Sequence, residues 1–119
     1  MLPLLLGCEK KAFEIKGDSK LKVNMLATDS ITVQVGVYRI QYHKFIETDY
    51  YKSRVKANTP FEYTNNQVPE KTEVTVIVNT INYKPAIIKG TVTLNGKAYA
   101  PSDNSDTATA EKRWKITIE

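Results

Sequence analysis

A chain of 119 residues with 41% hydrophobic and 25% charged side chains is long enough for one modest two-layer core and too apolar to stay disordered. Its formal charge of +4 suits an anionic membrane face as well as a polyanion, so charge alone selects no partner. A single cysteine excludes an intramolecular disulfide, and no apolar run approaches the roughly 20 residues that cross a bilayer as a helix.

The opening Met1-Leu2-Pro3-Leu4-Leu5-Leu6-Gly7-Cys8-Glu9-Lys10-Lys11 sets an apolar run and a small residue directly before the only cysteine, and polar residues directly after it. An export signal needs a cationic stretch followed by about 7–15 apolar residues. No Lys or Arg precedes Cys8 and the apolar body is short, so the expectation is that the natural start lies upstream of Met1 or that the chain was trimmed. Leu4-Leu5-Leu6-Gly7-Cys8 resembles the lipobox of bacterial lipoproteins. That resemblance implies lipidation of Cys8, with diacylglycerol on its sulfur and usually a third acyl chain on its amine. It also implies a place in the cell envelope, anchored to the outer membrane on the periplasmic or the surface side. Each buried methylene contributes about 0.8 kcal/mol, so two or more chains anchor stably where one does not. The competing reading is an N-terminal tail whose leucines have no role. On the lipobox reading, residues 1–8 are residual signal, residues 9–18 a polar tether and residues 19–119 the folded domain.

Beyond the tether the dominant pattern is alternation with a period of two. Ile31, Val33, Val35 and Val37 share one face with Thr32, Gln34 and Gly36 between them, the pattern of a half-buried strand. Val74-Thr75-Val76-Ile77-Val78 is richer in apolar residues and predicts a strand in the centre of a sheet. Val92 and Leu94 lead into Asn95-Gly96 and then Lys97-Ala98-Tyr99. Asn-Gly between extended segments predicts a type I′ hairpin, whose two central residues both need positive φ. Trp114, Ile116 and Ile118 alternate with Arg113, Lys115 and Thr117, which makes Trp114 a core aromatic on a last strand. Weaker candidates cover residues 12–15, 20–26, 38–45, 50–56 and 61–64, and no window keeps apolar residues at helical spacing. About seven short strands with regular turn signals predict an all-β chain folded as one antiparallel β-sandwich.

Few constellations in this chain carry chemistry. There is one histidine, His43, which removes multi-histidine metal sites and leaves any nucleophile-histidine pair without a motif. Glu47 and Asp49, two apart, are expected on one face of a strand. Asp103-Asn104-Ser105-Asp106 offers oxygen ligands but lacks the glycine and distal glutamate of an EF-hand loop, and reads more simply as a turn built by Asx side chains. The expectation is therefore no catalytic residues, no metal and no cofactor.

Residues 38–56 interleave aromatics with cations. Arg39, Lys44, Lys52, Arg54 and Lys56 stand against Glu47 and Asp49. Tyr38, Tyr42, Tyr50 and Tyr51, with Lys52 and Arg54, form a candidate ligand-binding face, since rings stack on bases and sugars alike. Given the lipobox, a glycan or an anionic headgroup fits that compartment better than nucleic acid. The plain alternative is a hairpin whose tyrosines are strand formers and whose lysines guard an edge.

From Ile31 onward the order of features resembles the extracytoplasmic domain of the mycobacterial small membrane protein (MmpS) family, which also appears as lipoproteins in Bacteroidetes-type genomes. Pro60-Phe61-Glu62-Tyr63 resembles its Pro-Trp-aromatic strand, with Phe61 in the place of tryptophan. Residues 74–80 resemble its buried apolar strand. Val92-Thr93-Leu94-Asn95-Gly96-Lys97 resembles its apolar-x-apolar-Asp-Gly-Lys hairpin, and residues 102–110 resemble its Ser-rich loop. The resemblance implies an immunoglobulin-like or transthyretin-like sandwich without catalytic residues, acting as a binding or accessory module beside an envelope protein partner.

Overall fold

The computed structural model describes residues 17–41, 44–102 and 107–119. Cys8, Tyr42, His43 and the segment Asp103-Asn104-Ser105-Asp106 lie outside the described residues. Among the described residues, which leave out the candidate strand at 12–15, eight strands form: β1 (Ser19–Ala27), β2 (Ile31–Gln41), β3 (Lys44–Val55), β4 (Phe61–Val68), β5 (Thr72–Thr80), β6 (Ile88–Leu94), β7 (Lys97–Tyr99) and β8 (Glu111–Ile118). They make two antiparallel four-stranded sheets, β4-β1-β6-β7 and β3-β2-β5-β8, packed as a β-sandwich. The count is eight rather than about seven. Of the candidate strands at 38–45 and 50–56, residues 38–41 end β2, and residues 44–55 form the single strand β3, the two pairing from Ile31↔Val55 to Gln41↔Lys44. The second sheet has the order of the C′-C-F-G sheet of immunoglobulin sandwiches, and β4 lies beside β1 as strand E lies beside B. The β6-β7 hairpin is set between the strands that correspond to F and G.

Alternation decides which face is dry. Leu21, Val23 and Met25 of β1, Val33, Val35 and Val37 of β2, and Val74, Val76 and Val78 of β5 all point between the sheets and are buried. Val92 and Leu94 of β6 and Trp114 and Ile116 of β8 belong to the same core, with Ala27, Ile31, Val55, Val68 and Ile88. Burying one such valine contributes about 1.5–3 kcal/mol relative to leaving it in water. Valine dominates because a β-branched side chain loses little freedom on a pleated surface. β5, flanked by β2 and β8, holds the central place its composition predicted. β8 is an edge strand, and its core-facing Lys112 puts a charge where an incoming strand from another chain would need an apolar one.

The predicted hairpin forms. Asn95 and Gly96 have φ of 51° and 83°, both in the left-handed region that a type I′ turn demands. Asn95 also extends the β1-β6 ladder beyond Leu94, because its Oδ1 accepts the Lys20 N–H at 2.8 Å while its own N–H donates to the Lys20 carbonyl at 2.8 Å. Asn95→Ala is expected to lower stability by about 1–2 kcal/mol, through the lost hydrogen bond and a Cβ in a conformation alanine disfavours. Urea unfolding followed by circular dichroism checks this.

Candidate binding face on the second sheet

The outer side of β3-β2-β5-β8 faces solvent in cross-strand rows. In one row Arg54, Thr32, Asn79 and Glu111 are opposed in turn, and in the next Lys52, Gln34, Ile77 and Arg113. A third row runs Tyr50, Gly36, Thr75 and Lys115. Tyr50 is anchored by its hydroxyl, which donates to Gln34 Oε1 at 2.9 Å. Tyr38 lays its ring over Gly36, where a Cβ would come within 2.7 Å of the ring, so the glycine is what lets that tyrosine lie flat on the sheet. Four of the expected residues, Tyr38, Tyr50, Lys52 and Arg54, therefore share this face.

Tyr51 does not share it. Opposite Val35 in the ladder, it turns to the other side of β3 and closes the open flank of the sandwich against β4. Its ring centroid lies 4.8 Å from that of Tyr63 and 6.2 Å from that of Phe61. Asn65 Nδ2 donates to Asp49 Oδ2 at 3.3 Å across the same seam. Burial, reinforced by the Asp49 carboxylate, pushes the Tyr63 hydroxyl above the usual tyrosine range. This cluster joins the two edge strands on one flank, so its rings are structural contacts more than platforms.

Glu47 and Asp49, expected on one face, lie on opposite ones. A bulge between the pairs Val37↔Asp49 and Tyr38↔Glu47 inserts Thr48, whose hydroxyl donates to the Val37 carbonyl at 3.0 Å. One extra residue reverses the alternation for everything that precedes it on β3.

Charges on the outer face are unevenly compensated. Glu111 accepts from Arg113 Nε at 2.6 Å and from Asn79 Nδ2 at 2.8 Å, and these two contacts hold its carboxyl below the usual glutamate range. Lys115 lies 3.7 Å from Glu73. Lys52 and Arg54 have no ion-pair partner among the described residues. A shallow groove of about 290 Å³ separates these two cations from the turn after β5. Tyr83, in that turn, is 78% exposed and lines the groove. Strand periodicity does not reach a turn residue, and the one available signal was an aromatic set among turn formers in Asn82-Tyr83-Lys84-Pro85.

Among the described residues no group of three or more His, Cys, Asp or Glu side chains is placed to hold a metal, and no helix is long and apolar enough to cross a membrane. No family model, curated protein or solved structure matches the chain.

Proposed function

We propose that this chain is a non-catalytic, lipid-anchored cell-envelope protein whose sandwich serves as a binding or accessory module for an envelope protein assembly. The observation that carries this reading is the outer face of β3-β2-β5-β8, which presents Tyr38, Tyr50, Lys52 and Arg54 to solvent from neighbouring positions on β2 and β3. Its location is supported by Leu4-Leu5-Leu6-Gly7-Cys8, which resembles a lipid attachment signal and stands ahead of a domain whose first described strand begins at Ser19. A second reading, favoured by the groove between Lys52, Arg54 and Tyr83, is that the same face binds a glycan or another anionic small ligand.

Expression from the native locus with an alkyne-tagged palmitate tests the anchor. Wild-type protein is expected in the membrane fraction carrying label, and Cys8→Ala in the soluble fraction without it. Equal labelling of the two removes the lipid reading. The contact face is tested on detergent-solubilised envelopes: wild-type protein is expected to migrate in a complex well above its own 13.5 kDa. The triple variant Tyr50→Ala, Lys52→Ala, Arg54→Ala is expected to migrate near that mass with an unchanged unfolding midpoint. Identical migration of the two would assign assembly to another surface.

A further inference from the structure

The groove beside Tyr83 has a polarity and a geometry that select a class of ligand. Lys52 and Arg54 reach it from alternate positions of the edge strand β3. Its acid, Glu111, is already engaged by Arg113 and Asn79, so the uncompensated charge is positive. A guanidinium fork matches a carboxylate with two parallel hydrogen bonds, a pairing that an ammonium alone cannot make. Thr32, Gln34 and Asn79 line the same groove and supply hydroxyl and amide groups of the kind that bond to sugar hydroxyls.

Tyr83 is the telling residue. It holds φ of 56° in a turn closed by its own N–H to the Thr80 carbonyl at 3.4 Å. A bulky side chain in the left-handed region is disfavoured, and glycine would take that conformation without a Cβ clash. A tyrosine kept there and left 78% exposed works against the local backbone preference, and strain of this kind gathers at ligand sites. An exposed ring beside cations and amides is a stacking platform for the C–H face of a pyranose whose acid group meets the arginine.

The groove also lies at the pole away from Gly17. Gly17, through which the chain enters, donates to the Gln67 carbonyl near the end of β4. The turn bearing Tyr83 packs at the other end of β1, where Ile81 N–H meets the Ser30 carbonyl at 3.2 Å. The nine residues of β1 separate the two poles by about 30 Å at a strand's rise per residue. An anchor at Cys8 would join the domain at its Gly17 pole, and the groove lies at the other one.

We infer that Lys52, Arg54, Asn79 and Tyr83 form a subsite for a carboxylate-bearing sugar of an acidic polysaccharide, which rests on the glycan reading of this face and adds to it Tyr83 and the ligand class. Calorimetric titration of the full chain with oligogalacturonate, and with dextran of equal length, tests it. Wild-type protein is expected to bind oligogalacturonate and not dextran. Tyr83→Gly is expected to weaken binding about tenfold while leaving the unfolding midpoint unchanged or higher, because the strain is relieved. Arg54→Gln is expected to weaken it by a similar factor and to flatten its salt dependence. Unchanged affinity in both variants overturns the subsite, and if Tyr50→Ala then abolishes binding, the glycan reading survives elsewhere on the face. No binding by wild-type protein sinks both. Binding to phosphatidylglycerol vesicles without binding to oligogalacturonate overturns the sugar in favour of a lipid headgroup.

Discussion

Trp114→Ala is expected to destabilise the domain by about 3–5 kcal/mol, a large share of the roughly 5–15 kcal/mol that holds a domain of this size folded. Trp114 is 1% exposed and belongs to the edge strand β8, opposite Val76. Its ring crosses the core to the other sheet, where a Cβ on Gly90 would come within 3.1 Å of its Cη2. Truncation thus removes the largest buried side chain and one of the contacts that hold the two sheets together. The ring carries a liability, because its Nε1 is buried without a hydrogen-bond acceptor. An orphaned donor costs about 1–3 kcal/mol, so Trp114→Phe, which deletes it while keeping most of the apolar area, is expected to lose far less than the alanine variant. Trp114 is the only tryptophan, so both variants are read by far-ultraviolet circular dichroism in a urea series and not by fluorescence. A loss below about 1 kcal/mol in the alanine variant would mean that the ring does not fill the core.

Val76→Asp is expected to abolish folding, and Ile77→Asp, one residue further along β5, to be tolerated. Val76 is fully buried between Val35 and Trp114. A carboxylate there must either ionise without a partner or protonate and remain unsatisfied, at several kcal/mol in each case. Ile77 looks outward between Gln34 and Arg113, so an aspartate there meets a cation and water. Its cost is that of a poor strand former, about 1 kcal/mol. Soluble yield and dispersion of amide proton resonances separate the outcomes. Equal damage from the two substitutions would contradict the register, since a slip of one residue exchanges the faces.

Much of this architecture is legible in the sequence, for a physical reason. Wherever one face of a strand is wet and the other dry, as in β2 and β8, the alternation is written in residue type. Asn95-Gly96 is equally direct, because few other pairs take two successive positive φ angles. The edge strand β3 is harder to read. With one side unpaired, Tyr50, Tyr51, Lys52 and Ser53 show little apolar alternation, and the bulge at Thr48 has no compositional mark. Glu47 and Asp49 were therefore expected together and lie apart, and Tyr51 joined a face from which strand parity excludes it. Tyr83 escaped because period-two reasoning applies to strands while its position is set by a turn. Composition also indicates which side of a strand is buried but not which strand lies beside it, so the β3-β4 flank closed by Tyr51, Phe61 and Tyr63 had no signature.

The route of the chain between sheets has a consequence for how the domain is made. Only β2-β3 and β6-β7 join neighbours in one sheet, and the other five connections cross from one sheet to the other. Pairing partners are thus distant in sequence, and long loops must close before the contacts that reward them form, which places folding in the range of about milliseconds to seconds typical of sandwiches. The two hairpins, β2-β3 and β6-β7, are the pieces able to form early, within about 1–10 μs for a hairpin. β5 receives its second neighbour only when β8 docks, and β8 brings Trp114 with it. Folding is therefore completed only after β8 has emerged from the ribosome and docked beside β5.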